Sequence, residues 1–167
     1  MTVREDRIKR ASGAEGIYGV VEKPHFVIIV PYEDGKVHLV EQYRYPVGER
    51  FWEFPQGSWE EKSQEDHEKM AMGELREETG LIADTMIYVG FQYEGYGFSN
   101  QGYHIYFATG FTRTERQLDV EEEDLITRAF PLEEFEAMLL SGQIKDTSTT
   151  SAYCLAMMKN LIPNNAR

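Results

Sequence analysis

The chain has 167 residues, with 17 Lys plus Arg against 29 Asp plus Glu and a formal net charge of −12. That length suits one domain with a real core, and the acidity argues against nucleic-acid binding, which needs a basic stripe, and against docking on an anionic membrane face. The longest aliphatic run, Phe26 to Val30, is too short to span a bilayer, no apolar signal-peptide region follows Met1, and the single cysteine, Cys154, excludes an internal disulfide and fits a reducing cytoplasm.

Residues 1–14 are polar and charged and are expected to form a frayed N-terminal segment, leaving residues 15–167 as one domain. Strand signals begin at Ile17. Phe26–Val30 and Val37–Val40 flank Asp34-Gly35, which reads as a hairpin turn. A short aromatic strand, Phe51–Phe54, ends at Pro55, and a loop follows from Gln56 to Lys62. A helix is expected from about Gln64 to Thr79, with Ser63 and Asp66 spaced as a capping box and Gly80 as a left-handed stop. Met86–Tyr93 and Tyr103–Thr109 are further strands. In the second, Tyr103, Ile105 and Phe107 alternate with His104 and Tyr106. Leu125–Phe130 is a last strand, Pro131 starts a helix stopped by Gly142, and Asp146 or Thr147 caps a final helix to about Asn160. This order predicts an α+β fold, an α/β/α sandwich around a mixed, partly antiparallel sheet.

The acid is not evenly spread. At about 100° per residue, Glu74, Glu77 and Glu78 share an arc of roughly 100° in the last turns of the first long helix, beside a core-facing arc of Ala71, Leu75 and Thr79. Like charges three and four residues apart repel, and acid opposes the helix dipole at a C-terminus. A hard divalent cation relieves both effects. The bland alternative is a solvated acidic face paired with Arg76.

The surrounding spacing decides between these. Anchored on Gly80, the residues Glu65, Glu74, Leu75, Glu77, Glu78, Gly80 and Leu81 are in register with the box of the Nudix hydrolase family, which the chain therefore resembles. Gly73 stands where the box has Arg, a place that only Arg76 or a residue from elsewhere could fill. The opening Gly corresponds to Gly57 if the loop Ser58–Ser63 carries a two-residue insertion. The resemblance implies the Nudix fold, with Mg²⁺ or Mn²⁺ on Glu74, Glu77 and Glu78, helped by a main-chain carbonyl at Gln56-Gly57. It also implies hydrolysis of a nucleoside diphosphate derivative.

The likeness extends to the ADP-ribose pyrophosphatase branch through Val37-His-Leu-Val-Glu-Gln-Tyr-Arg-Tyr-Pro46, Trp52-Glu-Phe-Pro-Gln-Gly57, Tyr96-Gly-Phe-Ser99 and Gly142–Ala152. It implies that Arg44 binds a substrate phosphate, with Glu53, Gln56 and Phe98 as further substrate-binding positions. The ordinary alternative for Arg44 is an ion pair with Glu41 or Glu53. In the acidic run Asp119–Asp124, Glu121 and Glu123 best match the glutamate that activates or positions the attacking water, beside Glu77 and Glu78 as catalytic residues. The partner implied is a small nucleotide, and dimerisation is consistent with the resemblance. Gln56 keeps a dinucleoside-polyphosphate or nucleoside-triphosphate hydrolase in view. Gly73 does the same for a catalytically weak nucleotide-binding module. The four histidines, at no ligand spacing, are expected at solvent-facing positions.

Overall fold

A computed structural model describes residues 1–58, 66–118 and 122–163. Strands β1 (Thr2–Lys9) and β2 (Glu15–Glu22) form a separate antiparallel hairpin. The main sheet holds β3 (Phe26–Glu33), β4 (Lys36–Arg44), β5 (Glu49–Glu53), β7 (Leu81–Tyr93) and β8 (Gly102–Arg113) in the order β5-β4-β3-β8-β7. The two-residue β6 (Gln56–Gly57) pairs with β3, and β9 (Ile126–Pro131) pairs with β4. Helix α1 (His67–Thr79) lies between β6 and β7, and α2 (Leu132–Leu140) and α3 (Thr147–Met158) close the chain. β3 runs parallel to β8 and antiparallel to β4 and β6, so the sheet is mixed as expected.

The layers follow from side-chain alternation. On β3, Ile28 and Val30 join Ile105 and Phe107 of β8 in a core completed by Phe135 of α2 and Ala152 and Tyr153 of α3. Val27 and Ile29 point the other way and pack with Tyr106, Ala108 and the α1 residues Met70, Ala71 and Leu75. A strand covered on both faces reads as a continuous apolar run, as Phe26–Val30 does. The result is an α/β/α sandwich with α1 on one face of the sheet and α2 and α3 on the other. Leu75 is wholly buried, and its replacement by Ala would cost about 2–5 kcal/mol.

The turns obey local chemistry. Asp34 (φ 49°) and Gly35 (φ 74°) both take positive φ, the geometry of a tight hairpin loop. Gly80 ends α1 in the left-handed conformation (φ 71°), its N–H donating to the Arg76 carbonyl at 2.9 Å. Asp66, not Ser63, caps α1, by accepting the Glu68 N–H at 3.0 Å. The helix begins at His67, later than expected, and Ser63 lies outside the described residues.

Residues 1–14 correct the sequence reading. They are not a frayed tail: β1 pairs with β2 along its whole length, from Thr2 opposite Glu22 to Lys9 opposite Glu15. The hairpin is mostly exposed, so it lacks the apolar alternation by which a strand is recognised. It touches the body where Val21 N–H donates to the Phe98 carbonyl at 2.8 Å and Tyr18 Oη donates to the Gly97 carbonyl at 2.6 Å. Among the described residues no helix is long and apolar enough to cross a membrane.

The histidines are not simply solvent-facing either: His38 is buried on β4 against Phe111, and the other three come together. His67, the first residue of α1, stacks on His104 of β8 at 4.0 Å and 11°, and His104 also faces His25 at 6.3 Å. Burial foremost, then the neighbouring His67 and His25, pushes His104 down to about 4. A neutral imidazole is therefore the form the fold accepts. Stability from this group is fully present above the unfolded value of 6.5 and is lost as pH falls through about 4. An NMR titration of the His104 ring should show a midpoint near 4, and one near 6.5 would contradict the stacked, half-buried arrangement.

Candidate active site

The last two turns of α1 carry their acid inward. Glu74 is 7% exposed and Glu78 0%, while Glu77 is half-buried at the margin and Arg76 is exposed. Arg76 Nη2 donates to Gln117 Oε1 at 2.7 Å, so its guanidinium is committed to Gln117 and does not take the place of the box arginine. Glu78 Oε2 accepts the Gln56 main-chain N–H at 3.1 Å. Its Oε1 is buried with no hydrogen-bond partner among the described residues. Burial first, then the charges of Glu122, Glu74 and Glu53, raises the Glu78 carboxyl well above the ordinary carboxylate range, opposed by the Gln56 N–H. Gly57 lies against Glu74: a Cβ there would sit 2.4 Å from Glu74 Oε2. A side chain at 57 would have to push the Glu74 carboxylate out of this place.

Beside these carboxylates opens a cleft of about 670 Å³, lined in part by Phe26, Arg44, Phe51, Glu53, Gln56 and Gly57. Its volume is that of a small-molecule site. Among the described residues, three cations (Lys23, Arg44, Lys145) and four acids (Glu49, Glu53, Glu94, Asp146) line it. A charged phosphate ester gains little net attraction from such a lining, so further positive charge is needed to hold one. Arg44 pairs with Glu53 through Nε at 3.2 Å and through Nη2, as the ion-pair alternative anticipated, yet its side chain stays 40% exposed on the cleft. Burial alone would lower the Arg44 pKa, but the charge and hydrogen bonds of Glu53 outweigh it and raise it. Glu53 also accepts from Gln42 at 2.8 Å, and burial pushes it up to about 7 against the pull of Arg44.

Gln56 lines the cleft, but its amide is engaged: Nε2 donates to Asp146 Oδ2 at 3.3 Å and Oε1 faces Ser148 Oγ at 3.0 Å. Phe98 is 61% exposed on the turn after β7, next to the N-terminal hairpin, and is not among the cleft-lining residues. In the acidic run, Glu121 lies outside the described residues, as do Glu65 and Trp59. Among the described members of the run, Glu123 is exposed, whereas Glu122 is half-buried and its charge reaches Glu78. Arg50 holds the chain just after these glutamates. It ion-pairs with Glu41 at 3.1 Å and with Asp124, and Nη2 donates to the Asp124 carbonyl at 2.9 Å, while Leu125 is buried next in line. Residue spacing could not choose among adjacent glutamates, because the choice depends on where Arg50 and Leu125 pin the loop.

Three observations suit a divalent cation at this place. Glu78 Oε1 is an orphaned buried acceptor, Gly57 leaves room only for the Glu74 carboxylate, and every candidate donor is a hard oxygen. Among the described residues no three acidic, histidine or cysteine side chains close on one point as they stand. The fit is thus to an ion held by two carboxylates and main-chain oxygen that keeps several waters, the habit of Mg²⁺. Replacing Gly57 by Ala should drive Glu74 aside and weaken Mn²⁺ binding about 10-fold or more, measured by electron paramagnetic resonance titration. Unchanged affinity would contradict the cradle.

Comparison with known proteins agrees with this geometry. Residues 22–151 match the NUDIX domain. The chain is 33% identical over 144 residues to an ADP-ribose pyrophosphatase of Mycobacterium tuberculosis, covering 85% of this chain and 69% of that protein. It is 26% identical over 145 residues to an ADP-ribose pyrophosphatase of Bacillus subtilis, covering 86% and 77%. It is also 27% identical over 149 residues to a methanol dehydrogenase activator of Bacillus methanolicus, covering 88% and 80%. A crystal structure of an ADP compounds hydrolase has the same fold, with a TM-score of 0.77 at 19% identity over 94% of this chain and 92% of that one. With a domain match across most of its length and buried carboxylates on the box helix, the chain belongs to the Nudix hydrolase family.

Proposed function

We propose that this Nudix hydrolase splits the pyrophosphate bond of a nucleoside diphosphate derivative, ADP-ribose or a similar sugar nucleotide, with Mg²⁺ as cofactor and Mn²⁺ able to replace it. The observation that carries the reading is the buried, half-satisfied Glu78 carboxylate beside a cleft that presents Arg44. The pyrophosphatase names of two curated relatives favour the substrate class.

In this reading Glu74, Glu78 and a main-chain oxygen at 56–57 hold the cation, with Glu77 at the margin. The cation supplies neutralisation of charge at the pyrophosphate oxygens and acidifies water. Arg44, oriented by Glu53, directs its exposed donors at a phosphate oxygen. Phe26 and Phe51 offer apolar faces to the base or ribose. Glu122, rather than Glu123, takes the proton of the attacking water. The water oxygen bonds to one phosphorus, the bridging P–O bond breaks, and its electron pair stays on the leaving phosphate. For ADP-ribose the products are AMP and ribose 5-phosphate. The polyphosphate alternative rested on Gln56, whose amide is occupied by Asp146 and Ser148 and does not offer itself to a longer phosphate chain.

A substrate panel with product chromatography tests this assignment. ADP-ribose should give AMP and ribose 5-phosphate only with Mg²⁺ or Mn²⁺ present, whereas preference for triphosphates, with release of pyrophosphate, would overturn it. On the preferred substrate, Glu122→Gln should lower kcat about 100-fold, and Glu123→Gln should stay near the wild-type rate. The reverse order would return the proton acceptor to Glu123.

A further inference from the structure

The contacts to Glu74 and Glu78 made by β6 both pass through two residues: the Gln56 N–H on Glu78 and the bare Gly57 face on Glu74. Yet β6 is too short to hold its own place. It pairs only with Val27 and Ile28 of β3, and a ladder of two residues is weak. The remaining anchors of this stretch come largely from α3, some 90 residues away in sequence. Phe54 N–H donates to Thr149 Oγ1 at 2.9 Å, Gln56 Nε2 donates to Asp146 Oδ2 at 3.3 Å, and Ser148 Oγ lies 3.0 Å from Gln56 Oε1. Ser148 has one hydroxyl proton, shared between Gln56 Oε1 and Asp146 Oδ2, the latter 2.6 Å away.

Ser148 and Thr149 are 1% and 0% exposed, and Asp146 is itself fixed by accepting the Thr149 N–H at 2.8 Å as the cap of α3. The network is therefore short-range and fixed at the helix end, its buried hydroxyls behind a half-buried Asp146 on the cleft. We propose that Asp146 and Ser148 are positioning residues of the metal site, acting through the Gln56 side chain to hold the 56–57 main chain against Glu74 and Glu78. This rests on the reading that those carboxylates hold a divalent cation. It assigns Gln56 a role different from substrate contact: the side chain is the tie, and the main chain is what the tie positions. A helix cap alone would stabilise α3 and leave cation affinity untouched, and the two roles separate by experiment.

The test uses the full chain and Mn²⁺ as the probe, titrated by electron paramagnetic resonance, beside the melting temperature of the metal-free protein and the nucleotide KM at saturating metal. Gln56→Ala keeps the main-chain N–H but deletes the tie, and Ser148→Ala deletes one of its bonds from the α3 side. Both should weaken Mn²⁺ binding about 10-fold with KM little changed. Ser148→Thr, which keeps the hydroxyl, should restore affinity, and Cys154→Ala, on the exposed side of α3, should bind Mn²⁺ as the wild type does. Wild-type Mn²⁺ affinity in both Gln56→Ala and Ser148→Ala would overturn the positioning role while leaving the metal reading intact. A wild-type protein that binds no Mn²⁺ would overturn both. Should Ser148→Ala not fold, Gln56→Ala decides alone.

Discussion

Glu78 sits fully buried in the last turn of α1, with Oε2 on the Gln56 N–H and Oε1 without a hydrogen-bond partner among the described residues. Ionising a carboxylate in such a place costs several kcal/mol in effective desolvation, and the nearby charges of Glu122, Glu74 and Glu53 add to that cost. The helix dipole opposes it as well, since the negative end of α1 points the same way. Nothing in the packing of Leu75 or Ala71 requires Glu at 78. A sequence that keeps this carboxylate accepts a local penalty in the protein alone, and a penalty concentrated on converging acids is what a divalent cation reverses.

The rest of the fold arranges that concentration. β3 is buried on both faces and carries α1 on one side and α2 with α3 on the other, so the carboxylates of α1 and the capped end of α3 meet the same short segment, residues 54–57. Arg44 and Glu53 lie on paired strands but not opposite each other, Arg44 standing opposite Glu49 and Glu53 opposite Val40, so the long Arg44 side chain reaches back along the pair to Glu53 and balances its buried carboxylate beside the cleft. Arg50 ties the loop before β9 to β4, and the charge of Glu122 in that loop acts on Glu78. Stability and chemistry divide between faces: apolar clusters hold the layers, and charged side chains gather where β5, β6, α1 and α3 converge.

How much of this could be read from the sequence depended on whether the signal was local. The Asp34-Gly35 turn, the Gly80 stop and the Asp146 cap are set by backbone chemistry within a few residues, and each stands where the sequence placed it. The alternation of Tyr103, Ile105 and Phe107 against His104 and Tyr106 was legible because β8 is buried between layers. Strand β1 was not, since most of its residues are polar and its pairing with β2 is stabilised by register and by ion pairs such as Arg4 with Glu22. The His67–His104 stack and the Gln56–Asp146 bond join residues distant in sequence, for which no spacing rule exists. The box spacing found α1 and its acids, but that the charge of Glu122 acts on Glu78 while Glu123 stays exposed was not legible, because it depends on how the chain before β9 is held, in part by Arg50, a residue with no motif of its own.

Crystals grown with Mn²⁺ offer the most direct measurement, through the anomalous difference map at the manganese edge. A peak is expected bounded by Glu78 Oε1, Glu74 and the main chain at 56–57, with the tie from Gln56 to α3 in place. A map with no peak there, or with manganese held only by the exposed acids Glu123 and Asp124, would contradict the claim that the buried carboxylate of Glu78 is kept for a cation.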